Sequence, residues 1–209
     1  MPYRVVKGFE GEKIPSVNEV DWLIALGGSM NIDDDKNFPF LREEKALLEE
    51  VLKAEKSFLG ICLGGQMLAR VMGAEVRKHT EWEVGWFPVQ FENKAIGLKT
   101  RPPQEEVFVM QYHQDTFDLP ASAKSFARNH ITSNQGFLTN NGAALGTQFH
   151  PEASEGWVRD CHGDIFPEGR YVQTFDEMVE GLRHVPKQSE WFSDVLTHLS
   201  ARTHARVSS

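Results

Sequence analysis

The chain has few of the features that stabilise secreted proteins or anchor membrane proteins. Only two of its 209 residues are cysteine, Cys62 and Cys161. Two cysteines make no disulfide framework, and their scarcity fits a reducing compartment. No apolar run approaches the ~18 residues that a membrane-spanning helix requires. The N-terminus lacks the basic-then-apolar order of a secretory signal, so the sequence predicts a cytoplasmic protein with no membrane partner. Positive charge is in deficit, with 22 Lys and Arg against 30 Asp and Glu and a formal charge of −8. That balance argues against non-specific nucleic-acid binding, in which cations must neutralise phosphates. The chain contains no repeat, no low-complexity linker and no phosphate-binding loop of the GxxxxGK type. At this length one domain can bury a sizeable core without staples. Residues 1–209 therefore read as a single domain, closing in a helical segment over 156–209.

The most informative stretch that is present is Gly60-Ile61-Cys62-Leu63-Gly64-Gly65-Gln66. The apolar run ending at Ile61 reads as a short buried strand, and Gly64 to Met72 reads as a helix. A cysteine on such a tight strand-to-helix turn is held out of the sheet, beside the positive end of the helix. The thiolate is the form that attacks, and the same geometry supports the nucleophile elbow of serine hydrolases. A small core cysteine is the alternative, since free cysteine is often buried, but glycines on both sides argue for the elbow.

The second motif is Thr147-Gln148-Phe149-His150-Pro151-Glu152. A nucleophilic cysteine needs a base that takes and returns protons, usually histidine. The histidine in turn needs a group that fixes its tautomer and stabilises the imidazolium. In extended chain, residues two apart point to the same side, so His150 and Glu152 can project together. Pro151 stiffens the link by fixing its own φ.

Taken together, these motifs resemble the signatures of class I glutamine amidotransferases, whose glutaminase domains carry a Cys-His-Glu triad. Trp22-Leu23-Ile24-Ala25-Leu26-Gly27-Gly28-Ser29-Met30 resembles the strand and glycine loop that supplies half of that family's oxyanion hole. Glu83-Val84-Gly85-Trp86-Phe87-Pro88-Val89 and Gln111-Tyr112-His113-Gln114-Asp115-Thr116-Phe117-Asp118-Leu119-Pro120 resemble further family segments. Both are closest to the stand-alone branch similar to the amidotransferase domain of GMP synthase. The resemblance covers roughly residues 3 to 155.

What the resemblance implies is acyl transfer through a thioester, with Cys62, His150 and Glu152 as the catalytic residues and no metal or cofactor. Backbone N–H groups of Gly28 and Leu63 would hold the oxyanion. Gly27, Gln66, Tyr112, His113, Gln114 and Asp115 would line the glutamine pocket. Gln114 stands where relatives often carry glycine, which restricts how closely the backbone approaches a ligand. Glu83 is read either as a partner for a substrate ammonium group or as an exposed strand-flanking carboxylate. The substrate would be glutamine, with ammonia passed to a separately encoded synthetase, or a γ-glutamyl peptide. A non-catalytic binding module is the third reading. Family domains usually begin with a strand and helix before the segment resembling Tyr3-Arg4-Val5-Val6. The expectation is thus an open sheet edge at that place, through truncation or cover by another segment or subunit.

The same pattern predicts the fold. Trp22–Leu26 reads as a strand, Pro39–Ala54 as a helix, then the Cys62 strand and its helix. Short strands follow over Ala74–Arg77, Trp86–Phe91, Val107–Gln111, Lys124–Ala127, Gly136–Thr139 and Ala143–Gln148. Helices close the chain near Phe175–Leu182 and Ser189–Arg202. This order predicts an α/β fold of three layers, flavodoxin-like, with a mostly parallel central sheet and an antiparallel extension. Cys161-His162-Gly163-Asp164 offers metal-ligand types but lacks a second paired cluster. Asp33-Asp34-Asp35 reads as a loop charge cluster, and His198 and His204 as solvated residues of a polar tail. Trp82, Trp86 and Trp157 could line a pocket, although core or interface packing is the commoner role of tryptophan.

Overall fold

The computed structural model describes residues 3–207, with side chains to residue 201. Seven strands form one mixed sheet in the order β1-β2-β7-β6-β5-β3-β4. The strands are β1 Trp22–Ala25, β2 Ser57–Ile61, β3 Val76–Glu92, β4 Gln104–Phe117, β5 Ala123–Arg128, β6 Gly136–Thr139 and β7 Ala144–Thr147. The ladders β1–β2 and β2–β7 are parallel, and the remaining four are antiparallel. The parallel part is thus a three-strand core, and the antiparallel extension is larger than it.

Helices cover both faces of that core. All five residues of β2 are buried, as expected of a parallel strand flanked on both sides. Alternation sends Phe58 to one face, where it meets α1 (Phe40–Lys53) and α2 (Leu63–Val71) through Leu41, Leu48, Met67 and Leu68. Leu59 and Ile61 go to the other face, where Trp191, Val195 and Leu199 of α5 (Val185–Val207) pack against them. Trp191 is fully buried, lies 4.4 Å from Phe91 between ring centres, and donates from Nε1 to Asn93 Oδ1 at 3.0 Å. Two short helices, α3 Glu155–Asp160 and α4 Phe175–Glu180, pack with Trp86 and Val84 in a third cluster.

Several boundaries differ from the sequence-based expectation. Ala74–Arg77 and Trp86–Phe91 belong to a single 17-residue strand, β3, whose pairing with β4 shifts register between Lys78 and Glu83. The polar run between them hides the continuity. β4 continues past Gln111 to Phe117. α5 begins at Val185 rather than Ser189, with Pro186 in its first turn, where a missing N–H costs nothing. α3 carries its own N-cap, the Ser154 hydroxyl accepting from Trp157 N–H.

β1 is a terminal strand of the sheet, and Ile24 within it is exposed. Its outer side pairs with no other strand among the described residues. Tyr3, Val5 and Phe9 are also exposed, and Tyr3 to Lys7 form no strand.

Candidate active site

The site is built where β2 ends. Cys62 is the N-cap of α2 and adopts φ 51°, ψ −106°, a left-handed backbone that a side chain rarely takes. The sharp reversal requires close packing of backbone on backbone. A Cβ on Gly60 would collide with the Gly64 carbonyl, and one on Gly64 with the Ala25 carbonyl. The strained residue is the one whose sulfur is held at the helix start, a pattern found where function over-determines the backbone.

His150 arrives from the end of β7. Its backbone N–H donates to Met110 O at 2.8 Å, which ties it to the antiparallel part of the sheet. Its Nδ1 lies 2.7 Å from Glu152 Oε1, and its ring is electrostatically coupled to Cys62. With Nδ1 engaged by the carboxylate, Nε2 is the nitrogen left for sulfur. Burial alone would push the imidazole pKa down; the charges of Cys62 and Glu152 and their hydrogen bonds outweigh it and raise it above the ordinary value. The Trp157 ring lies 5.2 Å from His150, tilted by 33°, and limits where the imidazole can swing.

The glycine loop after β1 closes the site from the open side. A Cβ on Gly27 would sit 2.8 Å from His150 Cε1 and 3.5 Å from Cys62 Cβ, so only glycine admits the imidazole there. Gly28 lies against the Leu63 side chain in the same way. Leu63 is in the first turn of α2, where N–H groups have no partner within the helix. The two residues expected to hold an oxyanion are thus in contact through the Leu63 side chain. Gln66 is buried, and its Nε2 donates to Asp115 O at 3.1 Å and to Gln148 Oε1 at 3.4 Å. Tyr112 contributes its carbonyl, 3.9 Å from Cys62 Sγ.

Other expected pocket residues are placed differently. His113 is buried with its ring between Asp115 O, 3.1 Å from Nδ1, and Glu83. Asp115 uses its side chain to accept from Asn31 Nδ2 at 2.8 Å. Gln114 lies half-buried opposite the register shift in β3. Glu83 is neither exposed nor open to a substrate ammonium group: it is fully buried and accepts from Asn129 and Gln135. That corrects both sequence readings of it. The residue missed was Gln148, whose Nε2 lies 3.9 Å from Cys62 Sγ. Its position two residues before His150, on the same side of extended chain, is the signal that was available.

The remaining candidates take structural places. Among the described residues no group of three or more His, Cys, Asp and Glu is arranged to hold a metal. Cys161 donates to Trp157 O at 3.5 Å, and burial together with Asp164 and Asp160 pushes its thiol up to about 11. Asp33 and Asp35 pair with Arg70 and Lys45, and Asp34 accepts from Asn37. Trp86 is core, donating to Met178 O, while Trp82 and Trp157 are half-buried. His198 is half-buried, with its ring against Gly97. The His204 side chain lies outside the described residues.

Comparison with known proteins identifies the family. The family model for glutamine amidotransferase class-I matches residues 7–158. A glutamine-hydrolyzing GMP synthase subunit of Sulfurisphaera tokodaii is 31% identical over 65% of this chain and 69% of its own. The glutamine amidotransferase-like protein YfeJ of Salmonella typhimurium is 31% identical over 90% of this chain and 84% of its own. Among solved structures, a glutamine amidotransferase from Thermotoga maritima superposes with a TM-score of 0.78 at 31% identity, covering 93% of this chain and 84% of that one. One from Methylobacillus flagellatus reaches a TM-score of 0.87 at 24% identity, over 96% of this chain and 84% of its own, a likeness of fold. The Cys62 elbow and the His150 segment both fall within the matched span, and this chain belongs to the class I glutamine amidotransferase family.

Proposed function

We propose that this protein hydrolyses the side-chain amide of glutamine through a γ-glutamyl thioester on Cys62. The observation that carries the reading is the 2.7 Å contact of His150 with Glu152 on an imidazole that shares the Gly27 contact with the elbow cysteine. Cys62 sulfur attacks the amide carbon, and the carbonyl oxygen takes the negative charge. N–H groups of Gly28 and Leu63 stabilise that charge, each such donor typically being worth about 10²–10³ in rate. Collapse breaks the C–N bond as the imidazolium of His150 protonates departing ammonia. Neutral His150 then takes a proton from water as the oxygen attacks the thioester, and the proton returns to sulfur as glutamate leaves. Glu152 orients the ring and stabilises its charged form throughout.

The relatives named as glutamine-hydrolyzing GMP synthase subunits support a second part of the proposal, that ammonia passes to a separate synthetase. One structural feature favours a different leaving group. Tyr112, Trp157 and Phe166 form an aromatic wall beside His150, with ring centres 5.8 and 6.3 Å from that of Tyr112. Such a surface suits the amine side of a γ-glutamyl peptide better than ammonia. Product release from glutamine and from a panel of γ-glutamyl dipeptides separates the two. Turnover of glutamine, lost in Cys62→Ser, is expected; turnover of peptides alone would replace it with the hydrolase reading.

Glu152→Gln tests the orienting role. The amide removes one of the two charges that raise the His150 pKa, so the proton is lost at lower pH. The expected result is a fall in kcat of roughly 10²–10⁴, with the alkaline limb of the kcat/KM profile shifted to lower pH. An unshifted limb would remove Glu152 from the proposed triad.

A further inference from the structure

Behind the Cys62 elbow, β3 and β4 bury a carboxylate that no lysine or arginine among the described residues neutralises. Glu83 Oε2 accepts from Asn129 Nδ2 at 2.9 Å, and both of its oxygens lie 3.2 Å from Gln135 Nε2. Among the described residues its sole ion-pair partner is His113, directly opposite it in the ladder. A buried carboxylate without a counter-ion is costly, and such groups neutralise instead.

The imidazole geometry sets the proton count. His113 Nδ1 lies 3.1 Å from Asp115 O, and a carbonyl oxygen only accepts, so Nδ1 carries a hydrogen. Nε2 is buried with no hydrogen-bond partner and lies 3.9 Å from Glu83 Oε2. An ionised Glu83 facing a bare Nε2 would set two lone pairs against each other. One proton resolves this. On Oε2 it makes Glu83 neutral, and on Nε2 it makes an imidazolium–carboxylate pair. Either placement gives the same total.

We propose that Glu83 and His113 retain one shared proton at neutral pH, and that this proton locks the Tyr112–Asp115 stretch of β4 into the wall of the Cys62 site. The stretch needs such a lock because the β3–β4 ladder is broken between Lys78 and Glu83. Asp115 O accepts from both His113 Nδ1 and Gln66 Nε2, and Tyr112 O stands 3.9 Å from the sulfur. Glu83 and His113 are thus positioning residues. Burial pushes the Glu83 carboxyl up and the His113 imidazole down to about 3, which favours the proton on Glu83. The other titratable groups felt by the pair are two imidazoles, His79 on β3 and His150; Asn129 and Gln135 are uncharged.

The proton is counted by equilibrium unfolding of wild type and Glu83→Gln between pH 5 and 8. Glutamine has the shape of a protonated glutamate and does not titrate. In the unfolded chain Glu83 is ionised over this range, so wild type takes up one proton on folding that the variant does not. A carboxyl whose folded pKa is raised loses its contribution to stability as pH rises. The unfolding constant of wild type, divided by that of Glu83→Gln, should therefore rise tenfold per pH unit. Parallel profiles would overturn the proposal. If Glu83→Gln does not fold, the ¹³C resonance of the Glu83 carboxyl and the ¹⁵N resonances of the His113 ring in wild type at pH 7.5 decide: a protonated carboxyl or a protonated Nε2 supports it, and an ionised Glu83 beside a bare Nε2 overturns it. Neither measurement uses glutamine, so both stand if the glutaminase reading fails. The positioning half rests on that reading. Glu83→Leu should raise KM for glutamine at least tenfold with kcat within threefold, and a loss confined to kcat would overturn that half.

Discussion

Replacing Cys62 with alanine should lower glutamine hydrolysis by at least about 10⁴-fold while leaving the protein folded. Removing the nucleophile of a comparable triad costs about 10⁶ in kcat, and the residual rate comes from the oxyanion donors and binding. Here the proposed donors are backbone N–H groups of Gly28 and Leu63, which the substitution leaves in place. The structural cost should be small. Alanine keeps the Cβ at an already strained φ of 51°, and only a sulfur atom is lost from the cluster formed with Leu59, Ile61 and Phe149. Ammonia release and the thermal midpoint are measured on the same preparation. Quenched wild-type reactions should also carry a γ-glutamyl adduct on Cys62 that the variant lacks. Activity within tenfold of wild type at an unchanged midpoint would remove the thioester from the mechanism.

The elements most legible in the sequence are those specified locally. The apolar run before Cys62, the glycines around it and the apolar stripe of Leu41, Leu47 and Val51 define β2, α2 and α1 to within two residues. β3 and β4 were harder because their middle sections are polar and yet partly buried. Periodicity arguments detect apolar faces, and Gln111, His113 and Glu83 are buried by virtue of partners rather than apolarity. Those partners are remote in sequence: Asn129 lies 46 residues from Glu83, and Gln135 lies 52. No local pattern connects them.

The site divides along the same line. Cys62, His150 and Glu152 could be named because their spacing encodes their geometry, an elbow in one case and an i, i+2 pair in the other. Gly27 and Gly28 could be placed through resemblance, and the reason Gly27 is glycine emerges from the imidazole packed against it. Gln148 and Trp157 touch the site through tertiary packing, as Gln148 reaches sulfur while also accepting from Gln66. Glu83 was misplaced because a strand-flanking carboxylate is exposed in most proteins. It lies opposite His113 where the β3–β4 pairing resumes after the register shift, buried among partners remote in sequence.

Gly64→Ala should destabilise the protein by about 3 kcal/mol, at the upper end of the usual overpacking cost. A single methyl is ordinarily welcome in a helix, where alanine exceeds glycine by about 1 kcal/mol. At Gly64 that gain is overridden, because the new Cβ would enter the Ala25 carbonyl and the Ala25 side chain. The obstruction is backbone of an adjacent strand in the parallel core, which no rotamer change can move. α2 would have to retreat from β1, carrying the Leu63 N–H and the Cys62 sulfur away from Gly28 and His150. For a chain of this size, the loss corresponds to roughly 6–12 °C in thermal midpoint. Gly156→Ala is the control: its Cβ meets only Ser154 Oγ, at 3.7 Å, in the first turn of α3. That substitution should leave the midpoint unchanged or raise it. If the two variants melted alike, helix propensity rather than strand–helix contact would govern the elbow. If Gly64→Ala melts early and its residual folded fraction also loses glutamine turnover, the close approach of α2 to β1 sets both the fold and the position of the nucleophile.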